Sequence, residues 1–587
     1  MKVAKLLKKI ASQDFSRIHL FKVKARKFLI DIHSARIVRL SEPSWNLLND
    51  LANGKALKDF SAPEASAREV WEYIDAGNLF THSIPYDSRL HPLPLVESAI
   101  LNLTHACNLD CSYCFMKFPN VKARYGESKI RMDYKTAKAS LDFLHKHSRP
   151  KMSVNFFGGE PLLEFNLLRR IIDYGDEKYP GWFQWNITTN GTLLDRSVQQ
   201  FLDARKVSVI VSLDGSKPTH DRLRRYKSGQ STYDDILRNV LRMRGREAGL
   251  KVNVTYAGST ADLLKAYRNL RSHGIGTLRF EKATLPPGHP LAVGQDKRAV
   301  IRSAFDEIAT RYLEELQQGK GVRIDNLCDI IYRANAGEPR RRSCDMGCGY
   351  LAVAADGRIY PCHKMIGDMR FAIGEVTGTL DLSHGEMIWN RPAETRETCA
   401  SCWARTYCGG CCVADNFLQN CGNFFTPDAV SCEIARDTIE IGIWLHEELR
   451  EKCQEALSRL LGWKYLSQKD KPIRNPAVQI VSSGPLILQI WDSQHELDSL
   501  AATIWAACDG IRTVETITNE IQTIYRNRNP RMIGEDVHGI LTKLVAKGLA
   551  VTGGSFGSVL EQYTVYEHIS RNRTLSMDFC PAGTPKG

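Results

Sequence analysis

The residues most able to do chemistry in this 587-residue chain are its 17 cysteines. None lies in the first 106 residues, and most gather at 107–114 and 344–432. The first group reads Cys107-Asn-Leu-Asp-Cys111-Ser-Tyr-Cys114, a spacing that brings three thiols onto one tight loop. Four thiolates would close a tetrahedral zinc site, and only three lie here. Three can hold a four-iron cubane and leave one iron open to a reacting ligand. By itself the loop also suits zinc with its fourth ligand elsewhere, for instance His105. The second group runs Cys344, twelve residues to Gly357, four more to Cys362, then Cys399-x2-Cys402-x5-Cys408-x3-Cys412 and, after a gap, Cys432. Regular short spacings of this kind predict metal or iron–sulfur ligands. Zinc knuckles are the alternative for isolated CxxC pairs.

Further motifs sit where strands end. Phe156-Phe157-Gly158-Gly159-Glu160-Pro161 pairs two glycines, which let backbone approach a ligand, with a carboxylate able to accept from an ammonium. Alone, it would be an ordinary turn. Thr189-Asn190-Gly191-Thr192 and Ser212-Leu213-Asp214-Gly215 follow the next two strand candidates. A hydroxyl and a carboxylate, Ser212 and Asp214, could hold ribose hydroxyls. Arg224, in His220-Asp221-Arg222-Leu223-Arg224, suits a ligand carboxylate or, equally, a solvated helix charge.

The elements that must position these residues alternate. Between 98 and 285 the strand candidates are AILNLT, MSVNFF, FQWNITT, VSVIVSL, KVNVTYA and TLRFEK, most followed by a helical pattern such as Tyr134 to His147. Strand–helix alternation predicts a parallel sheet, and six strands fit a partial barrel better than a complete eight-stranded one. Its chemistry is expected at the C-terminal strand ends, where all these motifs fall. Residues 326–440 show little periodicity, as expected where metal supplies the core.

Both ends predict small domains. Strand runs at His19 to Lys24, Lys27 to Ile32 and Ala35 to Leu40 precede a helix that Ser44 could cap, and residues 67–79 form another. At 476–555 the runs VQIVS and LILQIW lead into the helix ELDSLAATIWAAC and then two more helical patterns. The layout suggests a winged-helix-like domain present twice. The domain expectation is therefore 1–90 for leader-peptide recognition, 91–325 for the barrel, 326–450 for the cysteine-rich extension, 451–475 for a linker and 476–570 for a second peptide-binding domain. The fold class is α/β: a partial (β/α)6 barrel, an iron–sulfur extension and two winged-helix-like domains.

Composition sets the outer limits. Hydrophobic residues at 43% and charged residues at 25% exclude a disordered chain, a collagen-like fibre and a coiled-coil rod. A formal net charge of +13 spread over this length is weak evidence for nucleic acid, and residues 531–547 carry only two lysines and one arginine. No apolar run reaches the roughly 18 residues of a membrane span. The basic start lacks a secretory core, so a cytoplasmic, reducing compartment without disulfides is expected.

Taken together, the Cys107, Cys111 and Cys114 loop with the GGEP, TNG and SLDG segments resembles the radical S-adenosylmethionine enzymes. The resemblance implies a cubane on those three cysteines, S-adenosylmethionine contacts from Gly158, Gly159, Glu160, Ser212, Asp214 and Arg224, and a 5′-deoxyadenosyl radical that abstracts hydrogen. The later cysteines resemble the seven-cysteine SPASM extension of peptide-modifying members. That implies two auxiliary 4Fe–4S clusters, one on Cys344, Cys362 and Cys412 with Cys348 as the candidate fourth ligand, the other on Cys399, Cys402, Cys408 and Cys432. Cys328, Cys411, Cys421, Cys453, Cys508 and Cys580 are left over as buried free thiols. His363 follows Tyr360-Pro361-Cys362 where sulfatase-type maturases carry an aspartate; it is the candidate catalytic base or a structural neighbour of the cluster. The run AADGRIYPCHKMIGD, with CWARTYCGGCC later, is similar to thioether-forming maturases of cysteine-rich ribosomal peptides and of a quinohemoprotein amine dehydrogenase subunit. The terminal domains resemble peptide-recognition domains, the C-terminal one the chaperone of pyrroloquinoline quinone biosynthesis. The implied partners are a precursor peptide with a leader and a reductant such as a flavodoxin or ferredoxin. Carbon–carbon or carbon–oxygen crosslinking is the alternative reaction, and an iron–sulfur winged-helix DNA-binding regulator the alternative of another class.

Overall fold

A computed structural model describes residues 3–552, apart from 56–63, 76, 78, 82–94, 118–130, 247, 259–261, 337–338, 421, 462–471, 475–477, 484–485, 491–492, 510–511, 526–529 and 547–548. Cys421, Cys580 and residues 462–471 and 475 of the expected linker lie outside the described residues. The chain divides into two compact units, one of 11–62 and 77–448, the other of 1–10, 63–76 and 449–587.

The larger unit opens with a three-stranded antiparallel meander, β1 (Ile18–Val23), β2 (Arg26–Asp31) and β3 (Ile37–Arg39), followed by the helix Glu42–Ala52. That helix is capped by Ser41, whose hydroxyl accepts from the Ser44 N–H at 3.3 Å, and not by Ser44, which is buried in the first turn. The expected alternation of an apolar and an exposed face holds only in part, because residues 28–31 of the central β2 are buried on both faces. One covering layer is the cysteine-rich region. His19 stacks on Trp403 at 3.9 Å, and the Tyr407 hydroxyl donates to the carbonyl of Ala35 at 2.9 Å. The basic residues of these strands are paired as well. Arg26 pairs with Glu448 at 2.8 Å, Lys27 pairs with Glu42, and Lys24 lies over the Trp444 ring at 4.2 Å and bonds Thr310.

The six barrel-strand candidates form β4 (Val96–Thr104), β5 (Ser148–Gly158), β6 (Phe183–Thr189), β7 (Ser208–Ser212), β8 (Leu250–Tyr256) and β9 (Thr277–Lys282), all parallel and in chain order. The short β10 (Arg323–Ile324) adds in parallel to β9. At the other edge β11 (Tyr350–Val353) pairs in parallel with β4, and β12 (Arg358–Tyr360) and β13 (Gly374–Glu375) continue antiparallel, giving one ten-stranded mixed sheet. The cysteine-rich extension is thus continuous with the barrel sheet. It also has its own apolar core, including Met346, Tyr360, Phe371, Ile388 and Phe424, so metal is not the only source of a core there. Two long helices, Arg298–Gln317 and Ala429–Lys452, were not expected.

The smaller unit holds β15 (Gln479–Ser483), β16 (Leu486–Ile490) and β17 (Ser493–Leu497), an antiparallel meander in that order. It continues into the helices Ser499–Ala507, Val514–Ile524 and Pro530–Ala546. Residues 493–497, partly assigned to a helix by their sequence, are the third strand; the helix starts after Asp498, whose carboxylate accepts from Ala501 N–H. Its core gathers Leu488, Ile504, Trp505, Ile517, Val537 and Leu541. Within the expected linker, Gln454–Leu461 is a helix and β14 (Pro472–Arg474) pairs with β18 (Ala550–Thr552).

Ala35 sits at φ 56°, a strained conformation for a residue with a side chain, and its carbonyl is held by Tyr407. Removing that bond in Tyr407→Phe should cost about 1 kcal/mol locally. Amide hydrogen exchange around residues 31–37 should accelerate several-fold; unchanged exchange would show that the meander is held without it.

Candidate active site

The cysteine loop leaves β4 and lies across the ends of the neighbouring strands. Its backbone is tied to the segment after β7: Asp110 N–H donates to Arg225 O at 2.8 Å and Ser112 N–H to Leu223 O at 2.9 Å. Asn108 is held by Thr192 at 2.8 Å and by Asn190 at 2.9 Å. From inside the loop, the Tyr113 hydroxyl donates to Asp214, accepts from Arg224 at 2.7 Å, and is buried with both. The other Asp214 oxygen accepts from the Thr255 N–H at 3.0 Å. Asp214 and Arg224 therefore converge on the cysteine loop itself.

The GGEP segment is fixed equally closely. Gly159 N–H donates to Thr104 O at 2.8 Å and Glu160 N–H to Ala106 O at 2.9 Å. A side chain at Gly158, with φ 147°, would place its Cβ 2.1 Å from Thr104 O; one at Gly159 would lie 2.3 Å from Ala106 O. The glycines allow this backbone to lie directly against the residues leading into Cys107. Glu160 is buried, and its carboxylate accepts from Leu162 N–H at 3.1 Å, Thr189 Oγ1 at 2.7 Å and Asn190 N–H at 2.7 Å. It joins the ends of β5 and β6. Ser212 is half-buried at the end of β7.

Cys107, Cys111 and Cys114 are all half-buried. Burial pushes the Cys107 thiol up to about 12 and raises Cys111 and Cys114, while Arg224 opposes the rise at the latter two. Such thiols become thiolates when a metal cation supplies the missing positive charge. Among the described residues the Arg224 Nε, and the Asn102 amide that lies beside Gly158, are buried without a partner. An orphaned guanidinium N–H next to Cys111 suits a ligand carboxylate, so these residues fit S-adenosylmethionine as well as a cluster.

His363 follows Cys362, just past the end of the antiparallel β12. Its ring lies between those of Phe115, just after Cys114, and Phe157, just before Gly158, at 5.6 and 5.2 Å. Its Nδ1 bonds the Tyr350 hydroxyl at 2.6 Å, and burial lowers it to about 4, so the ring is neutral at neutral pH. Lys364 beside it is half-buried, and against the cost of desolvation it is held protonated by Cys412 and Asp415, reaching Asp415 at 2.9 Å and Thr284 at 2.7 Å.

The later cysteines form two sets. Burial raises the thiols of Cys362, Cys412 and Cys348; beyond it, Cys412 and Cys344 raise Cys362, and Cys344 raises Cys412 and Cys348, whose thiol donates to Asp345 O at 3.4 Å. A separate cavity is lined by Cys399, Cys402, Cys408, Cys411 and Cys432, with Arg436 at its rim. Cys411, set aside by the sequence reading, is in contact with two of the others. It lowers Cys408 and Cys432 and is itself held protonated. Among the described residues no three metal-binding side chains converge on one point as a single ion requires. Each ligand of a cubane binds its own iron, so the fit is judged on the donors, and a lining whose donors are all sulfur suits iron–sulfur chemistry.

Sequence reasoning missed Tyr113, Tyr350, Glu281 and Lys364. Glu281 projects from β9, bonded by Asn253 at 3.1 Å and paired with Arg279 at 2.7 Å. The polar positions two apart in KVNVTYA and TLRFEK were a signal for this inner face.

His220 locks the site from behind. Its Nδ1 accepts from Asp214 N–H at 3.1 Å, so Nε2 carries the proton and donates to Thr232 at 2.9 Å. Burial, then Arg224, lower its pKa to about 3. In an unfolded chain it would titrate near 6.5, so its stabilising contribution is complete above that pH and is lost as pH falls toward 3. The stability advantage of the wild type over His220→Gln should shrink by about 1 kcal/mol between pH 7.5 and 5.5, measured by denaturant unfolding. A pH-independent difference would refute the neutral, buried assignment.

A profile of the Radical SAM superfamily matches residues 101–260, and one of coenzyme PQQ synthesis protein D (PqqD) matches residues 491–550. The chain is similar to a cysteine-type anaerobic sulfatase-maturating enzyme of Clostridium perfringens, 26% identical over 54% of this chain and 89% of that one. It is also similar to a probable GTP 3',8-cyclase of Methanococcus maripaludis, 33% identical over 46% of this chain and 85% of the relative. Among solved structures, native anSMEcpe with bound AdoMet and Cp18Cys peptide matches 60% of this chain and 98% of its own, with a TM-score of 0.51 at 20% identity, a likeness of fold.

Proposed function

The chain belongs to the radical SAM superfamily, and from that premise we propose that it is a peptide maturase joining a substrate cysteine to a carbon of another residue by a thioether. When bound, the cluster on Cys107, Cys111 and Cys114 and S-adenosylmethionine supply the hydrogen-abstracting radical, and auxiliary clusters on the later cysteines supply an electron acceptor. The chain does the rest. Gly158, Gly159 and Ser212 line the cofactor cradle, Glu160 and Asp214 hold its walls, and Arg224 offers its orphaned N–H. The observation that carries the reading is the place of His363, in contact with rings that flank Cys114 and Gly158 and adjacent to Cys362. A substrate between these groups meets both kinds of site. With Nδ1–H donating to the Tyr350 hydroxyl, neutral His363 presents its other ring nitrogen to hydrogen-bond and orient a substrate thiol, whose proton passes on to solvent. Forming the carbon–sulfur bond then removes one hydrogen atom and one proton, and passes one electron to the auxiliary acceptor.

A second reading, oxidation of a single residue as in sulfatase maturation, is favoured by the length of similarity to the Clostridium enzyme. Trapping thiols after reaction separates the two. A crosslinked peptide loses its free thiol and fragments as a ring, whereas a singly oxidised residue stays in a linear fragment series.

Anaerobic reconstitution should load about twelve irons, and Cys107, Cys111 and Cys114→Ala about eight with S-adenosylmethionine cleavage abolished. Stoichiometric zinc, or four irons in the wild type, would overturn the auxiliary assignment.

We also propose that the leader pairs with β15 of the smaller unit. Ile480 and Val481 there are 60% and 50% exposed on an edge strand, although a bulge interrupts its pairing to β16. An apolar edge is a template for an added strand. The N-terminal meander loses its case as the basic docking site, since Lys24, Arg26 and Lys27 have partners within the chain. Ile480→Asp should weaken leader-dependent turnover at least tenfold and leave uncoupled S-adenosylmethionine cleavage unchanged. Leader binding that survives Ile480→Asp but is lost in Lys22→Glu would return the site to the N-terminal meander. The compartment consistent with this chemistry is the reducing cytoplasm, and among the described residues no helix is long and apolar enough to cross a membrane.

A further inference from the structure

The second auxiliary cavity holds more thiols than its cluster needs. Cys399, Cys402, Cys408 and Cys432 would suffice for a cubane, yet Cys411 lies among them, with its sulfur 3.5 Å from that of Cys408 and 3.8 Å from that of Cys432. Its backbone N–H also donates to the Cys408 sulfur at 3.2 Å. The chain is turned sharply to achieve this. Gly409 and Gly410 adopt φ 68° and 93°, and Cys411 itself sits at φ 58°, a left-handed conformation that glycine enters freely and a cysteine does not.

A spare buried thiol usually behaves as a small apolar side chain. Cys328 does so, packed in a helix with its sulfur 3.3 Å from the Tyr312 hydroxyl. Cys508 does so too, its thiol donating to Ile504 O at 3.3 Å. Cys411 has no comparable setting. Its sulfur touches two sulfurs of the expected ligand set and faces the same cavity.

We propose that Cys411 is a fifth sulfur donor of this site, able to bind iron in place of Cys408. This rests on the auxiliary-cluster reading above. Two sulfurs in contact on one tight turn can reach the same iron by side-chain rotation alone. The exchange is balanced without any oxidant. One iron–sulfur bond forms as another breaks, and the proton given up by the incoming thiol passes to the departing thiolate. The iron and sulfide content of the cluster is unchanged.

The test uses the full-length chain carrying Cys107, Cys111 and Cys114→Ala, which isolates the auxiliary sites. After anaerobic reconstitution, iron and sulfide are quantified, and the reduced clusters are examined by electron paramagnetic resonance. Four further changes are compared: Cys399→Ala, Cys408→Ala, Cys411→Gly, and Cys408→Ala with Cys411→Gly. Glycine suits the left-handed position, so loss of iron in that variant cannot be laid to backbone strain. Expected are about eight irons in the starting chain, in Cys408→Ala and in Cys411→Gly, with about four in Cys399→Ala and in the double variant. The spectrum of Cys408→Ala should shift while its iron count stays. A fall to about four irons in Cys408→Ala alone, or retention of eight in the double variant, would overturn the proposal and leave the auxiliary clusters standing. A starting chain without iron would overturn both.

Discussion

The buried contact of Tyr113 with Asp214 and Arg224 is the interaction on which the arrangement of this molecule depends. A loop carrying three cysteines, an asparagine, an aspartate and a serine has little apolar surface with which to dock. Its one aromatic side chain enters the protein, and a carboxylate and a guanidinium meet its hydroxyl there. Neither charge could remain buried alone, since breaking such a set by removing one partner costs about 3–5 kcal/mol. The loop is therefore held by the requirement that Asp214 and Arg224 be satisfied. His220, accepting from the Asp214 N–H, fixes the same corner from the opposite side.

The same logic orders the strand ends. Glu160 ties β5 to β6 through two hydrogen bonds, to Thr189 and Asn190, and Asn108 ties the cysteine loop to the turn after β6. Because β11 joins the sheet beside β4 and β12 pairs with β11, the strand leading to Cys362 belongs to the same sheet as the strand leading to Cys107. The spacing between the first cysteine loop and the later sets is thereby built into one sheet, with no hinge required between them.

Much of this was legible from the sequence, for identifiable reasons. Period-two alternation in MSVNFF or VSVIVSL survives because helices cover one face and leave the other polar, and glycines at strand ends mark close backbone approach. The cysteine spacings carried their own meaning. The helix Ala429–Lys452 was hidden because Ile439, Ile441, Ile443 and Trp444 are buried in a run that reads as a strand. The role of Cys411 was hidden because spacing rules count ligands in sequence, while its contacts with Cys408 and Cys432 depend on a left-handed turn. The pairing of Arg26 and Lys24 in the N-terminal meander was hidden because their partners, Glu448 and Trp444, lie more than 400 residues away. Asp214 looked like a ligand contact because a carboxylate at a strand end reads alike whether it faces solvent or a buried tyrosine.

The inner face of the sheet completes the physical account. One face of each barrel strand carries Val154, Phe156, Ile187, Val211, Val254 and Phe280, all buried. The opposite face carries amides, hydroxyls and charges that bond one another across strands: Asn155 with Thr188 at 3.1 Å, Asn186 with Ser153 at 3.0 Å, Asn253 with Glu281 at 3.1 Å. An apolar inner face on an open sheet would gain by collapsing on itself, closing any space beside the cysteine loop. Polar groups already paired along the sheet gain little from collapse, since each has a partner in place and would have to exchange it. Apart from the Asn102 amide, the strands can thus stay separated from what lies opposite without leaving these donors unpaired. A face of this kind also suits a guest whose own backbone must find hydrogen-bond partners, because side-chain amides can donate and accept alike. The interaction that holds the cysteine loop and the pairing along this polar face are consequences of one rule, that a charge or amide taken from water costs free energy until it is given a partner.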